Sequence, residues 1–371
     1  VTPDTVTPGI VPRRPTDIRS TADDLKWEQM LLIPPRCHIL VGNCREHRAG
    51  EVFVVDIERT HPPAPTEAPS LSCAAPDWFH QALAQPLQSR YVDHDGCTIH
   101  CLHWPQREAR KDCPGLLFLH GGGAHANWWR FIAPFFTDRF EVAAMDLSGM
   151  GDSGTRPVYN ASIRAAEIHA TLQSLGFLDA ARPRPLLVGH SFGGLTGTRY
   201  AQLHGQHLGG FVLLETPVRP ANVARPAHVS AVNAPGLRLY PDYATALARF
   251  RLLPQQSCEH DYIVEHIARH SIRRLAQGWA WKFDPAALTS ERHAEPFRDY
   301  LAQRRCRVAM VFGDKSALTS EDIVEHMSGL VGGSAPVVFI PEGQHHLMLD
   351  QPLAVVSTLR SIFECWRLSD D

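Results

Sequence analysis

The apolar run Pro185-Leu186-Leu187-Val188 leads directly into Gly189-His190-Ser191-Phe192-Gly193. This G-x-S-x-G at the end of a short strand constrains the fold more than any other stretch. It predicts a turn from strand to helix so tight that the residues around the serine must be small. Such a turn holds the serine Oγ above the carboxyl edge of a parallel sheet, at the N-terminus of a helix. Gly194 continues the small-residue run, and residues 195–203 read as the helix. Serine between glycines also occurs in ordinary loops, so the rest of the chain must decide whether Ser191 is a nucleophile.

The strands that would surround such a turn are present. Residues 90–93 and 97–104 flank His94-Asp95-Gly96 and read as a β-hairpin with a D-G turn. Short apolar strands follow at 115–119, 142–145, 186–188, 211–214, 308–312 and 337–340, with helical patterns such as 163–175 and 353–363 between most of them. Strands alternating with helices imply a mostly parallel sheet covered on both faces, with the hairpin at its edge. Some ninety residues between Glu215 and Arg307 break the rhythm, and 243–250 and 261–272 are their clearest helices. That is too long for a crossover, so a helical cap inserted after the sixth strand is expected.

The expected organisation is therefore an irregular extension or linker over residues 1–75, a first core segment at 76–216, a cap at 217–295 and a second core segment at 296–371. The extension is rich in Pro and Thr, with His61-Pro62-Pro63-Ala64-Pro65 and strand-like stretches only at 37–41 and 51–57.

Composition excludes several classes. A net charge of −3 with 20% charged residues gives no reason to expect nucleic-acid or membrane-surface binding. No run reaches the roughly 18 apolar residues of a membrane span, and no secretory signal is visible. Nine cysteines without framework spacing favour reduced thiols in a cytoplasmic setting. Two clusters, Cys37-His38 with Cys44 and His47, and Cys97, His100, Cys101 and His103, lack paired metal-ligand spacing. The second lies on an expected strand, where side chains alternate faces. A small-molecule substrate is expected, with no metal or organic cofactor, and a homodimer is compatible with the composition.

Taken in order, these motifs resemble the α/β-hydrolase superfamily, and within it the cap-bearing serine hydrolases and esterases. The resemblance covers residue 76 to the C-terminus. His120-Gly121-Gly122-Gly123 follows the third strand, where that superfamily has its oxyanion loop. Asp146-Leu147-Ser148-Gly149-Met150-Gly151-Asp152-Ser153 looks like its D-x-x-G-x-G-x-S turn, and Gln344-His345-His346 precedes the final helix. No G-x-x-x-x-G-K-[ST] follows the glycines, so they do not read as a phosphate loop.

A serine hydroxyl needs a base to take its proton, and imidazole fits near neutral pH. His345 and His346 both sit in the loop after the last strand. His345 is favoured because Pro352 follows seven residues later, as in the family's G-H-x-x-x-x-x-x-P, with Gln344 in place of Gly. His190 should face away from the hydroxyl and pack beside the oxyanion loop. Many relatives place the triad acid in G-x-x-D after the seventh strand, but here Gly313-Asp314-Lys315-Ser316 has serine at that position. Two carboxylates remain. Asp314 lies in that loop two residues early. Glu215 ends the sixth strand, and Glu215-Thr216-Pro217-Val218-Arg219-Pro220 resembles the E-x-x-x-R-P of certain haloalkane dehalogenases; Glu215 is favoured.

The resemblance implies oxyanion donors at the backbone N–H groups of Gly122 and Phe192. Trp128, Trp129, Trp279, Trp281 and Phe283 could line a substrate pocket or hold cap and core together. The expected activity is hydrolysis of a carboxylic ester or related acyl compound through an acyl-enzyme. Carbon–carbon bond hydrolysis of β-diketones is the enzymatic alternative, and a non-catalytic ligand-binding protein on the same fold is the other. Dehalogenase and epoxide hydrolase chemistry fit less well, because those relatives carry aspartate at the elbow.

Overall fold

The hairpin at the start of the described core shows how local sequence sets its register. Strands β2 (Gln88–His94) and β3 (Cys97–Trp104) pair antiparallel with His94 opposite Cys97. That leaves Asp95 and Gly96 as a two-residue turn with φ of 49° and 71°. Positive φ at both positions is the type I′ geometry that matches strand twist, which D-G sequences favour.

The structure, a computed structural model, describes residues 52–55, 75–105, 113–220, 237–289, 295–333 and 335–368. The strand-like stretch 37–41, the Pro-rich segment 61–65 and the Cys37/His38/Cys44/His47 group lie outside those residues. Part of the expected linker belongs to the sheet: β1 (Val52–Val55) pairs antiparallel with β2.

The remaining strands of the main sheet are β4 (Gly115–Leu119), β5 (Glu141–Met145), β6 (Leu186–His190), β7 (Gly210–Leu214), β10 (Val308–Gly313) and β11 (Val337–Ile340). The nine-stranded order is β1-β2-β3-β5-β4-β6-β7-β10-β11. Pairings from β5 through β11 are parallel, and those from β1 to β5 on the hairpin side are antiparallel. The fold is α/β, with helices on both faces.

Two-residue periodicity divides the strand residues between two core layers. Leu117, Leu119, Leu187, Leu213 and Met310 pack with the helices Ala161–Ser174, Phe192–His204 and Glu321–Leu330. Leu116, Phe118, Val188, Val212 and Val311 pack on the opposite face with Phe79, Ile263 and the residues Val355, Leu359 and Phe363 of the helix Pro352–Leu368. Strands covered on both faces read as continuous apolar runs, which is why they were legible.

The insertion between β7 and β10 contains the helices Tyr243–Leu247 and Asp261–His270. It also holds a two-stranded antiparallel hairpin, β8 (Ile272–Leu275) and β9 (Gly278–Trp281), where a wholly helical cap was expected. Arg273 and Arg274 interrupt any apolar strand signal, and the helix closes at Ser271, whose N–H bonds the Ala268 carbonyl and whose hydroxyl bonds the Ile267 carbonyl. Tyr240, Ala246 and Ile272 form a small core of their own, with Trp279 and Trp281 against it.

The insertion is tied to the core through the loop after β5. Gly151 N–H donates to the Lys282 carbonyl at 2.7 Å, and Asp284 N–H to the Gly149 carbonyl at 2.6 Å. Lys282 Nζ also pairs with Asp152 at 2.7 Å.

Phe118 is fully buried, with its ring 4.8 Å from Trp129 and 5.8 Å from Phe136. Phe118→Ala is expected to cost about 3–5 kcal/mol in urea unfolding. Phe339→Ala, at a ring 51% exposed, should stay within about 0.5 kcal/mol.

Candidate active site

Ser191 sits between β6 and the helix Phe192–His204 with φ 51° and ψ −113°. This is a costly backbone conformation for a residue with a Cβ, and strain of this kind persists only where neighbours over-determine it. Here they do. Ser191 N–H donates to the Leu214 carbonyl at 3.0 Å, and its own carbonyl accepts from Leu195 at 3.0 Å. A Cβ on Gly189 would meet the Gly194 backbone at 2.7 Å, and one on Gly193 would meet the His120 carbonyl at 2.5 Å. The small residues of the motif are therefore a packing requirement of the turn.

His345 lies between Ser191 and Glu215. Its Nε2 is 3.0 Å from Ser191 Oγ and its Nδ1 is 3.2 Å from Glu215 Oε2. With the proton on Nδ1, the ring donates to the carboxylate and presents a lone pair to the hydroxyl. His345 and Glu215 are 4% and 0% exposed, so this chain of bonds runs almost entirely out of water.

Glu215 is held at φ 44° at the end of β7, its N–H bonded to the Val311 carbonyl. Oε1 accepts from Gly313 N–H at 2.8 Å; Oε2 accepts from Ser316 Oγ at 2.8 Å and Thr319 Oγ1 at 3.2 Å. Ser316, which stands where relatives carry aspartate, thus donates to the carboxylate on the neighbouring strand. Asp314 is exposed, and its N–H bonds the Ile340 carbonyl. Burial pushes the Glu215 carboxyl up to about 7, against the opposing pull of Gly313, Ser316 and Thr319.

The other histidines have different work. His190 Nε2–H donates to the His345 carbonyl at 2.9 Å, which fixes the loop carrying that ring. Burial, with His345 beside it, pushes His190 down to about 3, so it is neutral near pH 7. Its Nδ1 faces Gly121, where an added Cβ would stand 2.9 Å away. His346 packs edge-on against Trp128 and places Nε2 3.3 Å from the Pro254 carbonyl; burial holds it well below the ordinary imidazole range. His120 uses both ring nitrogens, Nδ1–H on the Gly121 carbonyl and Nε2 accepting from Leu147 N–H.

A cavity of about 240 Å³ opens over Ser191, lined among others by Gly122, Trp128, Trp281, Phe283, His345 and His346. Phe192, the first residue of the helix, is buried beneath it. Of the five aromatics that could line a pocket or hold cap and core together, Trp128, Trp281 and Phe283 line the cavity and two do not. Trp129 belongs to the core against Phe118, and Trp279 packs on Tyr243 inside the insertion.

Of the group Cys97, His100, Cys101 and His103, the two histidine rings reach different carboxylates. His100 Nδ1 bonds Asp146 at 2.6 Å, whereas His103 Nε2 bonds Glu141 at 2.8 Å. His100 Nε2 is also 2.5 Å from Ser89 Oγ, a buried Ser-His-Asp arrangement that the sequence did not announce. Asp146 further accepts from Ala126 and Asp152 N–H groups. Burial alone would raise its carboxyl, but the bond and charge of His100, aided by His120 and His125, hold it below the usual range. This group has no place in the cavity lining and serves to brace the loop that receives the insertion. Two sets could each offer a metal ion three ligand atoms within 4.8 Å of one another: His190 with His345 and His346, and His100 with Asp146 and Asp152. In the second, Asp152 already holds Lys282.

An α/β sheet carrying a strained serine at the strand–helix turn, with an imidazole on its hydroxyl, defines the hydrolase class of this fold. The chain belongs to the alpha/beta hydrolase family, whose model matches residues 116–358. It is 24% identical over 264 residues to an esterase of Mycobacterium tuberculosis, Rv0045c, covering 68% of this chain and 83% of that protein. It is 32% identical over 129 residues to a 2-hydroxy-6-oxo-6-(2'-aminophenyl)hexa-2,4-dienoic acid hydrolase of Metapseudomonas resinovorans, covering 34% and 41%. The solved structure of E-2-(acetamidomethylene)succinate hydrolase shares the fold with a TM-score of 0.61 and 21% identity, over 75% of this chain and all of that one. No helix among the described residues is long and apolar enough to cross a membrane.

If His345 acts as a base, it leans on an ionised Glu215 and is disabled when that carboxyl is protonated. With Glu215 near 7, activity should be low at acid pH and climb through roughly 6–8. Ser316→Ala removes a bond to the charged form, so the midpoint of the kcat/KM–pH profile should move upward. A profile that stays fixed, or moves downward, contradicts this arrangement.

Proposed function

We propose that the protein hydrolyses a carboxylic ester, or a closely related acyl compound, through an acyl-enzyme on Ser191. The observation that carries the reading is the unbroken run of contacts from Ser191 Oγ through His345 to Glu215. His345 Nε2 takes the hydroxyl proton as Oγ bonds to the carbonyl carbon. The imidazolium formed is stabilised by Glu215, and it returns the proton to the leaving alcohol as the carbon–oxygen bond breaks. Water, deprotonated by the same nitrogen, then attacks the acyl carbon and releases Ser191. The backbone N–H groups of Gly122 and Phe192 are the donors for the oxyanion. Gly122 borders the cavity without a side chain, and Phe192 opens the helix whose N-terminus faces developing negative charge. In this reading residues 217–295 form the cap that closes the site, between core segments 76–216 and 296–371.

The relatives support ester hydrolysis through the name of the mycobacterial protein, an esterase aligned over most of both chains. A family model spanning Ser191, Glu215 and His345 adds to that support.

A fluorophosphonate probe should label the wild-type protein, and Ser191→Ala should abolish labelling. On a short-chain aryl ester, Glu215→Gln should lower kcat by about 10²–10⁴-fold. Asp314→Asn should change kcat by less than about twofold. Equal labelling of the Ser191→Ala variant, or a severe loss confined to Asp314→Asn, contradicts the assignment.

A further inference from the structure

The charge around the cavity is one-sided. Its described lining residues include Arg249, Arg251 and Lys282 and no carboxylate. Lys282 is committed, because its Nζ lies 2.7 Å from Asp152 and the side chain is 7% exposed. The two arginines are exposed. Arg249 has no side-chain hydrogen bond or ion pair among the described residues. Arg251 is in no ion pair among them either; it spends one nitrogen, Nη1, on the Ala248 carbonyl at 3.1 Å and the Phe250 carbonyl at 2.5 Å.

The backbone under this pair is fixed. Arg249 N–H and Phe250 N–H close the end of the helix Tyr243–Leu247 by bonding the Ala246 and Leu247 carbonyls at 3.0 Å each. Phe250, between the arginines, lines the cavity and packs 5.9 Å from the Trp281 ring. The rim is therefore held by aromatic packing while its charges stay available.

The sequence before Glu259 supplies little counter-charge. Residues 217–258 contain five arginines (219, 225, 238, 249 and 251), no lysine, no glutamate and one acid, Asp242. Asp242 is occupied as a helix cap, accepting from Thr245 N–H at 2.7 Å. Arg219 donates to the Leu318 carbonyl and Arg238 lies over the Tyr240 ring, and neither is among the described residues that line the cavity. Two unneutralised guanidiniums two residues apart repel one another, and a shared anionic oxygen group removes that cost.

We infer that Arg249 and Arg251 form the anion-recognition rim of the cavity, and that the substrate is an acyl compound carrying a carboxylate or phosphate in addition to the bond cleaved. This rests on the ester-hydrolase reading and narrows its substrate class. Apolar surface at Trp128, Trp281, Phe283 and Leu288 receives the body of the molecule. The anionic end stays at the mouth, half in water, where an arginine pair binds it without the cost of burying charge.

The test compares aryl esters of one chain length at low and high salt: a neutral acyl group, the same group ending in carboxylate, and one bearing a phosphate. For at least one anionic ester kcat/KM should exceed that of the neutral ester by about tenfold at low salt, and the advantage should shrink as salt rises. The better anionic ester identifies the group recognised. Arg249→Gln/Arg251→Gln should bring the preference down to about one through KM, and Arg249→Lys/Arg251→Lys should retain part of it. An arginine pair that serves only to cap its helix would change stability and leave the preference intact. Calorimetric binding of glutarate and of inorganic phosphate to the wild-type protein and the double Gln variant gives a readout independent of hydrolysis. Hydrolysis of all three esters without an anionic preference, or a preference that survives the double Gln variant, overturns the inference and leaves the esterase reading standing. No hydrolysis of any ester, with anion binding that the double variant abolishes, overturns the esterase reading and upholds the rim. Absence of both overturns both.

Discussion

A carboxylate with no exposed surface is costly unless it is bonded, and Glu215 is such a group at the centre of the site. It stands at the end of strand β7 and gathers Gly313, Ser316, Thr319 and His345 around two oxygens. Those partners come from the end of β10, the loop after it and the loop after β11, so one side chain fastens three strand ends together. Removing it would leave donors from two loops facing a void, and unpaired buried donors are costly. The position of His345 depends on it, and the environment of the Ser191 hydroxyl depends on His345. The same burial that makes the bonds strong lifts the carboxyl toward neutrality. The site is therefore sensitive to each hydrogen bond that keeps Glu215 charged.

The parallel strands were legible because burial on both faces makes them apolar throughout, and the elbow because its glycines answer to backbone crowding. Pattern alone left Glu215 and Asp314 as rivals. Both follow a strand, and what separates them is that Glu215 turns inward with φ 44° while Asp314 turns out to solvent. The signal that linked them was Ser316, a missing aspartate whose hydroxyl reaches the alternative acid. Other features left no such trace. Strands β8 and β9 are four residues each, with arginine on one and a glycine start on the other, too short for periodicity to register. The Ser89–His100–Asp146 network draws on residues up to 57 positions apart, and only tertiary packing brings them together. The tryptophans show the same limit, since spacing cannot distinguish Trp128 on the cavity wall from its neighbour Trp129 in the core.

The loop after β5 connects these levels. Asp146 is buried and fully bonded, and an added Cβ on Gly151 would collide with its carboxyl. The turn is thereby drawn tight enough for Gly149 and Gly151 to exchange backbone bonds with Lys282 and Asp284. The insertion is anchored at those bonds, with Trp281, Lys282 and Phe283 beside the cavity. One buried carboxylate, Asp146, thus braces the loop that holds the insertion near Lys282, and a second, Glu215, holds the His345 ring. Arg251 precedes that anchor by 31 residues in the chain (282 − 251). In the proposed function, substrate selection and acyl chemistry rest on separate residues.

The direct physical test of this account is the proton between His345 and Glu215. A hydrogen-bonded imidazole Nδ1–H shielded from water gives a resolved downfield resonance in the proton spectrum. The account predicts such a resonance from His345, present in the wild-type protein and in Asp314→Asn, and absent from Glu215→Gln. Its persistence in Glu215→Gln, or its loss in Asp314→Asn, would mean that the imidazole leans on another carboxylate.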